Sequence, residues 1–179
     1  MTESDAAAGG EAVLSADELA GVLELFGALA ESEFVRAVRE AAFRDGREVT
    51  EDGIADRVNA AAESFHVVRV EPDAVPGVVD GLGDAEAAYV AGPRAWPEEP
   101  AHGEDLPHIL DVDARDVDRA ALARRVRQQL RAAVEHAAAR SDAERLHEVV
   151  DVTYDVEAWA DVDLPDTRGL ADGALANLE

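Results

Sequence analysis

Apolar residues recur every three to four positions through the first third of the chain, and that spacing predicts three successive amphipathic helices. The first opens at Ser15-Ala16-Asp17-Glu18, a capping box, and carries Leu19, Val22, Leu23, Phe26 and Leu29 along one face. The second runs from Ser32 to Gly46, buries Phe34, Val38, Ala41 and Ala42, and stops at Gly46 in a left-handed turn. The third follows Thr50 with Ile54, Val58, Ala61 and Ala62. Periodicity then changes. Phe65 to Val70 is β-branched and reads as a strand, and Ala87 to Ala91 reads as its hairpin partner across a glycine-rich connection.

From Gly92 to Pro107 the chain holds Pro93, Pro97, Pro100 and Pro107 together with Gly103, which break helix and central strand alike. Residues 92–107 are therefore expected to be a Pro-rich linker between a unit at 14–91 and a unit at 108–164. Leu106 to Val112 suggests a short extended piece. The longest helix is predicted from Asp116 to Arg140, with Leu122, Val126, Leu130, Ala133, Val134 and Ala137 as its stripe. Ser141-Asp142-Ala143-Glu144 repeats the capping-box pattern and starts a last helix through Leu146, Val149 and Val150. Beyond it Val152, Tyr154, Val156, Ala158, Ala160, Val162 and Leu164 alternate with mostly acidic residues, favouring a half-buried strand, although Val152, Val156 and Trp159 also fit a helical turn. Residues 1–13 are expected to be a disordered leader and 165–179 a flexible tail. The class is α+β, predominantly helical.

Charge changes this picture more than composition does. The 179 residues include no lysine, and sixteen arginines face forty carboxylates, for a net charge of -24. Such a surface repels itself in dilute buffer, whereas the Debye length of about 3 Å near 1 M salt removes most of that repulsion. A cytoplasmic protein of a salt-rich cell is the reading that follows. There is no cysteine, hence no disulfide, thiolate nucleophile or cysteine-bound zinc. Glu3 and Asp5 stand where a secretory signal would be basic, and no apolar run reaches the roughly 20 residues of a membrane span.

One stretch opposes the acidic background. Between Arg119 and Arg140 six arginines (Arg119, Arg124, Arg125, Arg127, Arg131 and Arg140) meet only Glu135, a net of +5. On a helix Arg124, Arg127 and Arg131 share one face with Gln128, opposite the apolar stripe. The face suits an acidic protein partner or nucleic-acid phosphate, with Arg119, Arg124, Arg127 and Arg131 as contacts. The simplest alternative is internal pairing with the chain's own carboxylates, or with those of a second copy.

Other candidate chemistry is sparse. His102 and His108 flank Glu104 and Asp105 in the Pro-rich stretch, a possible metal pair whose spacing matches no structural zinc pattern. His66, His136 and His147 read as packed or surface histidines. No G-x-S-x-G is present, and Gly81-Leu82-Gly83 fails as a dinucleotide loop because its sixth position is Glu86. Trp96 and Trp159 read equally well as packing anchors or as ligand platforms. No cofactor is expected.

Three helices followed by two strands resemble a winged-helix arrangement, in which the third helix enters the DNA major groove. Here that helix carries Glu51, Asp52, Asp56 and Glu63 against Arg57 and Asn59, a net repulsion toward phosphate. The strings Leu14-Ser15-Ala16-Asp17-Glu18-Leu19, Glu104 to Val112 and Asp155-Val156-Glu157-Ala158-Trp159 resemble a family of uncharacterised small acidic proteins from haloarchaea. That resemblance implies a halophilic, cytoplasmic setting and transfers no catalytic residue. The function expected is a non-enzymatic module for protein interaction or self-association. A winged-helix nucleic-acid binder is the alternative, and a metal-dependent hydrolase using His102 and His108 is a weaker one.

Overall fold

The computed structural model describes residues 14–73 and 77–178, so the expected leader at 1–13 lies outside the described residues. Helix α1 spans Ala16–Phe26 behind the predicted capping box. The Glu18 amide donates to Ser15 Oγ at 3.1 Å, and the Ser15 amide donates to Glu18 Oε2 at 2.7 Å. Leu29 does not continue that helix. Gly27 turns the backbone to φ 72°, in close contact with the Arg115 carbonyl, and Leu29–Ala30 become strand β1. Helix α2 follows at once as Glu31–Arg44, capped by Glu33, whose Oε2 accepts from the Ala30 amide at 2.8 Å. Helix α3 is Glu51–Glu63, with Thr50 Oγ1 accepting from the Gly53 amide at 3.1 Å.

Strands β2 (Val67–Val70) and β3 (Ala88–Ala91) form the expected antiparallel pair, and β1 joins it to make a three-stranded sheet of order β1-β3-β2. Leu29 stands opposite Tyr89, and Val68 opposite Val90. The period of two then sorts the side chains onto two faces. Val67, Tyr89 and Ala91 pack on the core of α1, α2 and α3, with Leu19, Phe26, Phe34 and Ile54. Val68, Val70 and Val90 pack on the other side against the later helices.

The Pro-rich stretch lies on α1. Its Glu98 amide donates to the Asp17 carbonyl at 3.0 Å, its Trp96 amide to Asp17 Oδ1 at 2.9 Å, and Gly21 admits it by lacking a side chain. The extended piece expected after it is helical instead. A 3-10 turn at Gly103–Asp105 leads into α4, Leu106–Leu110, because Leu106 and Leu110 are one turn apart and both buried.

Helices α5 (Arg119–Ala139), α6 (Ala143–Trp159) and α7 (Pro165–Ala176) follow. The strand expected beyond residue 150 is the second half of α6. Val149, Val152 and Val156 are fully buried while Tyr154 is 57% exposed, so the helical period decides and the alternation is incidental. The flexible tail is likewise corrected to α7, which buries Thr167 and Ala171 against the same core.

At the α5–α6 junction the sequence placed the cap one residue early. Asp142 caps α6, accepting from the Arg145 amide at 3.0 Å, and Ser141 closes α5 in the left-handed region at φ 55°. That conformation costs a side-chain-bearing residue about 1–2 kcal/mol, and glycine avoids it at some entropic cost in the unfolded chain. Ser141→Gly is expected to raise the unfolding free energy by about 0.5–1 kcal/mol. Thermal or urea unfolding checks this, and a loss of stability would contradict it.

Candidate functional site

With sixteen arginines and forty carboxylates, the informative observation is which arginines stay unpaired. Ten form ion pairs, and Arg36 and Arg57 donate instead to the Leu110 and Leu14 carbonyls. Of the sequence-predicted face, Arg119 reaches Glu24 at 3.2 Å and lies 5.7 Å from the centre of the Trp159 ring. Arg125, half-buried beside the stripe, reaches Glu71 at 2.8 Å. Among the described residues Arg124, Arg127, Arg131 and Arg140 make no ion pair and no side-chain hydrogen bond. All four belong to α5 or its C-terminal cap.

The helix explains the grouping. Leu122, Val126, Leu130 and Val134 are buried on one side of α5, and the 100° step per residue turns Arg124, Arg127, Arg131 and Glu135 to the opposite, exposed side. Internal pairing therefore accounts for Arg119 and Arg125. It leaves the three central arginines facing solvent.

Beside this stripe lies a groove of about 580 Å³ between α5 and α7, lined by Arg131, Val134, Glu135 and Ala138 on one wall and by Gly169, Leu170 and Gly173 on the other. Leu170 is 44% exposed and Leu178, at its end, 38%. The groove does not follow from the expectation of a flexible tail at 165–179. The available signal was the Gly169 and Gly173 pair, four residues apart in an otherwise amphipathic segment.

A second concavity, of about 490 Å³, gathers Glu33, Asp80, Asp111, Asp113 and Asp116 around Arg115. The Arg115 guanidinium forks onto Glu33, with Nη1 to Oε2 at 2.7 Å and Nη2 to Oε1 at 2.9 Å. Nη1 also donates to the Ala28 carbonyl at 3.0 Å and Nε to the Gly81 carbonyl at 3.2 Å. The Arg115 fork, helped by the Ala30 amide, holds the Glu33 carboxyl below the usual carboxylate range against the opposing effect of burial. With its donors so engaged, Arg115 is a clamp between distant segments.

His102 and His108 are both exposed, one before the 3-10 turn and the other in α4. Among the described residues no three or more His, Asp or Glu side chains are grouped as a metal site requires. No described helix is long and apolar enough to cross a membrane. On α3, Glu51, Asp52, Asp56 and Glu63 are exposed, while Arg57 turns inward to the Leu14 carbonyl at 3.1 Å.

The model of a family of unknown function, DUF7109, matches residues 17–176. No curated protein and no solved structure matches the chain.

Proposed function

The chain belongs to the DUF7109 family, and we propose that it is a non-enzymatic protein-interaction module on a winged-helix frame, working in a salt-rich cytoplasm. The order α1-β1-α2-α3-β2-β3 with sheet order β1-β3-β2 supports the frame, since a winged helix strings its three helices and three strands in that way. One observation carries the choice of protein over nucleic acid. The helix that would enter a major groove exposes Glu51, Asp52, Asp56 and Glu63, and its one arginine is drawn into the fold. The β2–β3 connection adds exposed Asp73, Asp80, Asp84 and Glu86.

Salt sharpens the argument. Phosphate contacts gain affinity by releasing counterions, so each contact loses close to a factor of ten in affinity per decade of salt, about 0.9 log units. A surface of carboxylates in concentrated salt has neither the charge nor the entropy to hold DNA. Protein contacts built on apolar burial keep their strength there.

Titration of a fluorescent duplex of about 20 base pairs with the full chain, in KCl from about 0.2 to 2 M, should give no saturable anisotropy change at any salt. Saturable binding that survives about 1 M KCl would overturn the reading. If Arg124→Glu with Arg127→Glu and Arg131→Glu abolished that binding, the nucleic-acid surface would be the α5 stripe.

A further inference from the structure

We propose that the α5–α7 face is a two-fold interface, in which each groove receives the same two helices of a second copy of this chain. The proposal rests on the reading that the chain meets protein and not nucleic acid. Three observations on the one face lead to it.

The first concerns glycine. Gly21 and Gly92 have a packed backbone close enough to forbid a Cβ, at 1.7 Å from the Glu98 carbonyl oxygen and 2.2 Å from that of Phe65. Gly169 and Gly173 sit inside α7 with nothing within 4 Å of where a Cβ would stand. Glycine weakens a helix interior relative to alanine, and no neighbour among the described residues requires it at either position. Close approach of a backbone from outside does require it. The second is apolar area. Leu170 on α7 and Leu178 just beyond its end, two of the six large hydrophobic side chains left exposed among the described residues, both line the groove.

The third is charge, and it selects the occupant. Arg131 and Glu135 lie one turn apart on the groove wall, in the less favourable order for an intrahelical pair, and among the described residues neither forms an ion pair. Antiparallel packing of α5 on α5, with the two-fold axis between these residues, sets Arg131 against Glu135 of the second copy and Glu135 against its Arg131. The face is thus complementary to itself, as an isologous contact must be. A merely acidic partner would leave Glu135 opposed by like charge.

Sedimentation equilibrium of the full chain in about 2 M KCl, from about 1 to 100 µM, should give twice the 19.0 kDa chain mass. Leu170→Glu and Gly173→Leu should each weaken the dimer at least about tenfold, with helical ellipticity retained. Arg131→Glu should weaken it similarly, and adding Glu135→Arg should restore it, because both partners of each pair are then exchanged. A chain monomeric at about 100 µM, a dimer that these variants leave intact, a charge swap without rescue, or open-ended oligomers would each overturn the two-fold contact. A monomer that ignores DNA would sink this interface alone, whereas a dimer that binds DNA would sink only the choice of protein over nucleic acid.

Discussion

Dialysis from molar KCl into about 10 mM salt is expected to unfold this chain. Its 24 excess negative charges, spread over a folded radius of about 20 Å, repel far more than in an expanded chain of about 45 Å. Screened Coulomb energy puts the loss of folding free energy between about 1 M and 0.01 M salt on the order of 20 kcal/mol. The whole stability of a domain is about 5–15 kcal/mol. Between those limits the melting temperature should fall steadily below about 0.5 M KCl as the Debye length grows. Helical ellipticity at 222 nm, followed against temperature across the salt series, checks it. A melting temperature independent of KCl would refute the salt-adapted reading. The ion pairs do not alter this expectation, because Arg115 to Glu33 and Arg47 to Glu18 neutralise individual carboxylates and leave the net charge unchanged.

Gly21→Ala should be among the most damaging single methyl groups in the described structure. A Cβ there would stand 1.7 Å from the Glu98 carbonyl oxygen and 2.4 Å from its carbon, both rigid backbone atoms. Relief requires lifting the Pro-rich stretch from α1, which breaks the Glu98 and Trp96 amide bonds to Asp17. Alanine favours the helix by about 1 kcal/mol, so the net loss is expected at about 2–4 kcal/mol. For a chain of this length that is a fall in melting temperature of roughly 5–15 °C, measured in molar salt. A change under about 2 °C would show that the segment yields without resistance.

Much of this was legible because it is local. The Ser15 and Glu18 pair announces α1 from side-chain chemistry within one turn, and the stripe from Leu122 to Ala137 announces α5. Strand β1 was not legible, since its two residues pair with β3 some 60 positions on and gain their order only from that contact. The second half of α6 misled because Val152 and Val156 satisfy both the strand and the helix period. Helix α7 was hidden by Pro165, Gly169 and Gly173, which read as breakers in isolation. The arginine face was visible as a run of charge. Which of its members were spoken for depended on Glu24 and Glu71, 95 and 54 residues away.

Arg115 sets the order in which the chain can mature. Its amide bonds to the Phe26 carbonyl at 2.7 Å and its side chain to Ala28 and Glu33, on either side of β1. As the chain emerges from a ribosome at about 5–20 residues per second, α1 to α3 can form early, but β1 stays unclamped until residue 115 has left the exit tunnel. For several seconds the three helices must wait with the other face of their sheet uncovered. A chain cut short near Pro107 and released would present that bare sheet to chaperones and to other chains.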